Sequence, residues 1–316
     1  MPNRGLLDIE NLSVEQIQRI LDRARFYQPI EARTGKKLDK LAGKTIIHLF
    51  FESSTRTRTS FEIAAKRLGA DTISITASGS SVDKGESLLD TVNTLAAMRP
   101  DAIVMRHAAS GAPHFLARCL AARNVATPII NAGDGTHEHP TQGLLDALTI
   151  LDHKPTLSGL RVAIIGDISH SRVARSNIHL LTKFGAKVVL CGPPPMLPRA
   201  FEMFSPLVER TYRMEEAIAR ADVIMMLRVQ LERQGKSLFA SDNEYFRYYG
   251  LRLEHLQIAQ PDAIVMHPGP INRGRELSSE VADFPRSAIL NQVENGISVR
   301  MAVLDLMLAA SPEGKN

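Results

Sequence analysis

Tryptophan is absent and aromatic residues make up only 5% of the chain, which removes the stacking platforms that a nucleic-acid surface interleaves with its basic residues. No long block of lysine or arginine appears. The formal charge is +4, from 38 Lys+Arg against 34 Asp+Glu. A few arginines gathered at one anionic substrate site account for that surplus and for the pI near 9.1, so no nucleic acid is expected as a partner. Cysteine is scarce too: Cys119 and Cys191 stand far apart, match no C-x-x-C pattern and read as reduced core thiols. No apolar run approaches the ~18 residues of a membrane span, and residues 1–10 carry Asp8 and Glu10 in place of an apolar signal core. The expectation is a cytoplasmic protein with no membrane partner.

What is abundant is apolar material. A chain of 316 residues with 44% hydrophobic content supports two cores. β-type runs around Ile46, at 71–75, 102–105, 127–130, 161–165, 187–190, 222–227 and 263–266 alternate with helical segments. That alternation predicts an α/β protein of two domains, each a parallel sheet flanked by helices. A fresh strand-turn-helix unit starts after Pro155, near Leu157, where the hinge is expected. Residues 1–152 form the first domain and 153–292 the second. The amphipathic segment with Val299, Ala302, Val303, Leu306 and Met307 has no strand after it, so the helix over 293–316 is expected to pack back onto the first domain.

The most informative stretch is Ser53-Ser54-Thr55-Arg56-Thr57-Arg58-Thr59, at the junction of an apolar strand and a helix. Unpaired N–H groups and the positive dipole end at a helix start favour an anion, and hydroxyls and guanidinium forks add donors matched to phosphate oxygens. A plain N-cap needs one hydroxyl, whereas this run offers five beside two arginines. Phosphate binding is the better reading.

Other strings stand at equivalent places. Lys84 lies in a polar loop, Ser80 to Glu86, whose spacing favours neither function nor ordinary loop. Arg106 and His107 end the third strand, at the sheet edge where open α/β sheets bind ligands. The Gly-rich loop 131–135 leads through His137, Glu138 and His139 into a helix. Two histidines two apart raise the question of metal, but no cysteine or third histidine stands at ligand spacing and no H-E-x-x-H occurs, so no metal and no cofactor are expected. A histidine at a helix start suits a neutral hydrogen-bond donor. The dinucleotide fingerprint fails after Gly166, because Ile168 and Ser171 replace its later glycines. The P-loop fails at Leu38. Arg172 remains, at the start of a helix, placed to grip a carboxylate. Alternation after the strand at 222–227 puts Arg228 and Gln230 on one face. The turn Pro268-Gly269-Pro270 follows His267 and is rigid, with free carbonyls to offer a ligand amide.

Taken in order, the strings STRTR, KGE, MRH, HPTQ, RVQ and HPGP resemble those of aspartate carbamoyltransferase catalytic chains, within the aspartate/ornithine carbamoyltransferase superfamily. The likeness runs over nearly the whole sequence. It implies transfer of the carbamoyl group of carbamoyl phosphate to the amine of L-aspartate, an early step of pyrimidine synthesis without a covalent enzyme intermediate. By position, the resemblance implies that Ser54, Thr55, Arg56, Thr57 and Arg106 hold the phosphate. His139 and Thr57 polarise the carbonyl, and Gln142 with the carbonyls of Gly269 and Pro270 receives the carbamoyl NH2. Arg172, Arg228 and Gln230 hold the aspartate carboxylates, and Lys84, a catalytic residue beside them, lowers the pKa of the aspartate amine together with two arginines. Ser80 and Lys84 match residues lent to a neighbouring subunit's site, which implies a homotrimer. HPGPINRG is similar to the version in relatives lacking a zinc-bearing regulatory chain, some of which assemble with a dihydroorotase-like partner. Two alternatives stand: ornithine carbamoyltransferase, whose last motif is HCLP where this chain has HPGP, and an inactive carbamoyltransferase-like scaffold.

Overall fold

The computed structural model describes residues 5–32, 38–76, 87–229 and 241–308, less the side chains of 29–32. Two compact units emerge: Met1–Leu144 with Asn295–Asn316, and Leu145–Glu294. The first contains β1 (Gly5–Leu6), α1 (Val14–Ala32), β2 (Thr45–Phe50), α2 (Thr55–Arg67), β3 (Asp71–Thr76), α3 (Leu88–Ala97), β4 (Ala102–His107), α4 (Ala112–Ala122) and β5 (Ile129–Asp134). Helix α5 (Pro140–His153) begins in it. The second holds β6 (Arg161–Ile165), α6 (Arg172–Lys183), β7 (Lys187–Cys191), β8 (Val208–Thr211), α7 (Met214–Ile218), β9 (Val223–Met226), α8 (Asp242–Tyr249), β10 (Ile264–Met266) and α9 (Ser279–Ala282). Helix α10 (Ile289–Leu308) starts there and ends in the first unit.

Each unit has a five-stranded, all-parallel sheet, in the order β1-β5-β4-β2-β3 and β10-β9-β6-β7-β8. Parallel neighbours need crossovers, which the helices supply, and strands covered on both faces must be apolar throughout. The runs Ile46–Phe50, Ala102–Met105 and Val162–Ile165 are buried accordingly. The order also fixes where ligands bind. In the first sheet the chain steps from β2 to β3 on one side and then to β4 on the other, so the direction reverses between β2 and β4. The second sheet reverses between β6 and β9. Outside the carboxyl ends of such strands the loops diverge and leave a crevice.

The closing helix packs as the sequence predicts. Along α10, Val299, Ala302, Val303 and Leu304 are fully buried, and each buried Val or Leu side chain contributes about 1.5–3 kcal/mol. Polar ties fix its register against the first unit. Tyr27 Oη donates to Asp305 at 2.7 Å, Gln28 Nε2 to Asn295 Oδ1 at 2.8 Å, and the Arg300 guanidinium lies 5.0 Å from the centre of the Phe61 ring. Cys191 is buried in β7, Cys119 half-buried in α4, and both are free thiols. Among the described residues, no helix is long and apolar enough to cross a membrane.

Candidate active site

The strand β2 delivers the phosphate-type loop directly to the amino end of α2. Ser54 is the extended residue before the helix, and its side chain makes no capping hydrogen bond. Ser54 thus leaves the start of α2 uncapped by its own side chain, and helix starts of this kind are where anions bind. Burial of Phe61, Ala64 and Ala65 sets the helix on the sheet. Thr57 consequently faces inward and is buried, while Thr55 and Arg56 are exposed on the first turn.

Arg106 comes from the far side of the switch point. Register pairs it with Phe50 at the end of β2, and its carbonyl accepts from Phe51 N at 2.9 Å, so it stands beside the loop that starts α2. Its guanidinium donates through Nη1 to Ala132 O at 3.2 Å and through Nη2 to Glu52 Oε1 at 2.7 Å. Glu52, the residue just before the serine pair, escaped the sequence analysis. Its only linear signal is an acid beside a run of hydroxyls and arginines, and its partner lies 54 residues on.

On the next strand, β5 ends in a tightly wound loop. Gly133 and Gly135 have φ of 113° and 45°, and a Cβ on Gly135 would lie 2.3 Å from Ser110 Oγ. Only glycine fits there. Asp134, fully buried, holds the loop: its carboxylate accepts from Gly111 N at 2.6 Å, Asn131 Nδ2 at 2.8 Å and Glu138 N at 3.2 Å. Burial pushes this carboxyl up, but the His137 and Asn131 hydrogen bonds outweigh it and hold it below the usual range. The partner His137 imidazole is held up by its hydrogen bond to Asp134. His139 immediately precedes α5 and is buried, as is Gln142 one turn into the helix. Ser54, Thr55, Arg56, Thr57, Arg106, His139 and Gln142 thus all stand at the carboxyl edge of the first sheet.

The second unit repeats the logic with a different donor set. Gly166, at φ 135°, lies so close to Leu227 and Tyr245 that a Cβ would reach within 3.0 Å of Leu227 Cβ. The chain then turns through Ser171, whose Oγ accepts from Ala174 N at 3.1 Å, and α6 opens on Arg172, which is buried. Across the switch point, β9 runs out through Leu227 into the half-buried Arg228. Beside it, β10 leads into the cis Gly269–Pro270 turn, and Gly269 N donates to His267 Nδ1 at 2.8 Å.

Two buried groups tie these loops together, and neither was legible in sequence. Glu276 accepts from Val229 N at 3.2 Å and from Asn272 N at 2.7 Å, joining the loop after β9 to the loop after β10. Burial raises its carboxyl, against the lowering effect of the Asn272 bonds. Asp146 accepts from Asn177 Nδ2 and Gln292 Nε2, each at 2.7 Å, and Gln292 Oε1 accepts from His267 N at 2.9 Å. Arg172, Arg228, Gly269 and Pro270 therefore sit on neighbouring strand ends of one sheet. Ser80, Lys84 and Gln230 lie outside the described residues.

Comparison with known proteins gives a consistent result. The aspartate/ornithine carbamoyltransferase carbamoyl-P binding domain matches residues 4–152, and the Asp/Orn binding domain of the same family matches 158–307. The aspartate carbamoyltransferase catalytic subunit of Solibacter usitatus is 70% identical over 304 residues, covering 96% of this chain and 99% of that one. The Syntrophotalea carbinolica subunit of the same name is 56% identical over 306 residues, covering 96% and 95%. Among solved structures, aspartate transcarbamoylase from Trypanosoma cruzi, in complex with carbamoyl aspartate and phosphate, superposes with a TM-score of 0.83 at 30% identity, over 98% of this chain and 96% of that one. Ornithine carbamoyltransferase from Pyrococcus furiosus gives 0.85 at 30% identity, over 98% of each.

Proposed function

The chain belongs to the aspartate/ornithine carbamoyltransferase family, and from that membership we propose that it is an aspartate carbamoyltransferase, moving the carbamoyl group of carbamoyl phosphate to the amine of L-aspartate to give N-carbamoyl-L-aspartate and phosphate. The observation that carries the reading is Arg106 held beside the amino end of α2, which Ser54 does not cap, at the switch point of the first sheet. The fold alone does not choose between amino-acid substrates, since the two superposed enzymes match equally well. The choice rests on the 70% identity to an aspartate carbamoyltransferase catalytic subunit, on HPGP in place of HCLP, and on Arg172 and Arg228 as cations for a dicarboxylate.

In this reading residues 1–152 bind carbamoyl phosphate and 153–292 bind aspartate. Ser54, Thr55, Arg56, Thr57 and Arg106 hold the phosphate with the helix N–H groups. The amine attacks the carbamoyl carbon, a C–N bond forms, and the C–O bond to phosphate breaks. Negative charge builds first on the carbonyl oxygen, where His139 and Thr57 donate, and then on the leaving phosphate, where the arginines do. Gln142 and the carbonyls of Gly269 and Pro270 orient the carbamoyl NH2. Arg172, Arg228 and Gln230 hold the carboxylates. Cations beside the aspartate amine favour its neutral, nucleophilic form, and the departing phosphate takes the proton it sheds. No protein nucleophile is needed.

Ser80 and Lys84 complete a neighbouring subunit's site, which makes the enzyme a homotrimer. The edge strand β3, with Ile73 about half exposed, leads straight into that segment and supports such an association. The protein acts in the cytoplasm, and a higher assembly with a dihydroorotase-like chain is compatible with HPGPINRG. The deciding experiment compares initial carbamoylation rates with L-aspartate and L-ornithine, in the intact protein and in Arg56→Ala. Aspartate is the expected substrate, and Arg56→Ala loses about ten- to 150-fold, since a charge-assisted phosphate contact is worth about 1.5–3 kcal/mol and is needed throughout the reaction. Faster turnover of ornithine refutes the substrate, and no turnover of either leaves the scaffold alternative.

A further inference from the structure

A third histidine, which linear spacing did not supply, is folded in beside the pair that precedes α5. His114 lies in the first turn of α4, and its ring meets that of His137 edge to face at 5.3 Å between centres. One ring nitrogen of each histidine and one carboxylate oxygen of Asp134 lie within 4.8 Å of one another. His137 Nδ1 stands 3.1 Å from Asp134 Oδ2. In a tetrahedral zinc shell with bonds of about 2.0–2.1 Å, neighbouring donor atoms lie about 3.3 Å apart. The His137–Asp134 spacing already matches, and His114 needs to close by about 1.5 Å at most.

The surroundings are those of a ligand set rather than of three chance neighbours. His114 Nε2 is 2.6 Å from Asp8 Oδ2. That bond puts the ring proton on Nε2 and leaves a lone pair on Nδ1, a buried atom for which the described residues provide no hydrogen-bond partner. A carboxylate behind a metal-binding imidazole is the usual device for fixing tautomer and ring orientation. Asp134 is fixed in the same way by Gly111 N and Asn131 Nδ2. The two histidine side chains stay 29% and 30% exposed, enough for an ion and a fourth, water ligand to enter.

We propose that His114, Asp134 and His137, backed by Asp8, form a binding site for a borderline divalent transition-metal ion of the Zn²⁺ class. Two imidazoles and one carboxylate select such an ion over Mg²⁺ or Ca²⁺, which prefer oxygen. The cluster uses none of the residues assigned to the substrates. Its effect is mechanical: the ion clamps the segment after β1, the start of α4 and the loop 134–139, and so reaches the backbone that carries His139. No step of the carbamoyl transfer passes through it.

The test uses the untagged full chain, stripped with a chelator, titrated with Co²⁺ and followed by visible absorption, and separately equilibrated with about 10 μM Zn²⁺, which nearly fills a site of micromolar Kd. The expected result is one ion per chain, a thermal midpoint raised by zinc, and loss of both signals in His137→Gln and in His114→Gln. Asp8→Asn should weaken binding about 10–100-fold, as removal of an outer carboxylate does. His137→Gln replaces a partly exposed side chain, so it remains informative if His114→Gln folds poorly. Binding far below one ion per chain, or wild-type affinity retained in His137→Gln, overturns the site.

Discussion

Glu52 occupies the guanidinium of Arg106, which in the proposed reaction grips the incoming phosphate. Arg106 Nη2 and Glu52 Oε1 are 2.7 Å apart, with side-chain exposures of 11% and 25%. A hydrogen bond between charged groups contributes about 1.5–3 kcal/mol, and the partial exposure of the carboxylate reduces this to about 1–2 kcal/mol through solvent screening. A phosphate binding at Arg106 must displace that carboxylate or sit beside its negative charge. Glu52→Gln keeps the shape and an acceptor but removes the charge, and the 3.2 Å bond from Arg106 Nη1 to Ala132 O still holds the guanidinium in place. The variant should therefore bind inorganic phosphate about five- to thirtyfold more tightly, which is the same 1–2 kcal/mol expressed as a dissociation constant. Calorimetric titration of the intact protein and of the variant at one ionic strength measures it. Equal or weaker phosphate binding by a folded Glu52→Gln protein would show that the carboxylate is no competitor and that Arg106 does not face the anion.

Three further outcomes follow from the geometry. His48 is fully buried in β2 with neither ring nitrogen hydrogen-bonded among the described residues, and burial lowers its pKa to about 4. Its unfolded value lies near 6.5, so only the unfolded chain takes up the proton as pH falls from 6.5 toward 4, and the native state loses about 2 kcal/mol by pH 5. Denaturant unfolding at pH 7 and pH 5 should show that loss in the wild type and not in His48→Leu, and identical acid sensitivity would count against it. Gly135→Ala should cost about 1–3 kcal/mol from its left-handed backbone alone, with the collision against Ser110 added; an unfolding midpoint within error of wild type contradicts this. Mixed Lys84→Ala and Arg56→Ala chains should recover activity that neither has alone, and no recovery after verified subunit exchange argues against shared sites.

Much of the candidate site is readable in the sequence because a parallel sheet places each candidate loop directly after a strand. STRTR follows β2, Arg106 ends β4, His139 follows β5 and Arg228 follows β9, each marked by an apolar run and then a break in pattern. The fold class, the sheets and the returning helix follow from the same alternation. Two strands do not. β1 is two residues long, and β8 is a short edge strand of which only Val208 is buried, so neither carries an apolar run long enough to register. The organising acids also escape. Glu52 and Glu276 act on partners 54 and 47 residues away, and Asp146 meets Gln292 across 146 residues. No local pattern encodes such pairings. His114 escapes for the same reason: its relation to His137 exists only once α4 has packed beside β5.

The path of α10 has a consequence for how the polypeptide is made. Tyr27, Gln28 and Phe61 find their partners at Asp305, Asn295 and Arg300, whereas the sheet β6–β10 is built from one uninterrupted stretch. During synthesis on the ribosome, the middle of the chain is able to fold while the first half waits, its core open along one side, for the final helix to emerge. The earliest-made half is thus the last to be sealed, and it is the half that a truncated translation product would leave exposed to proteases.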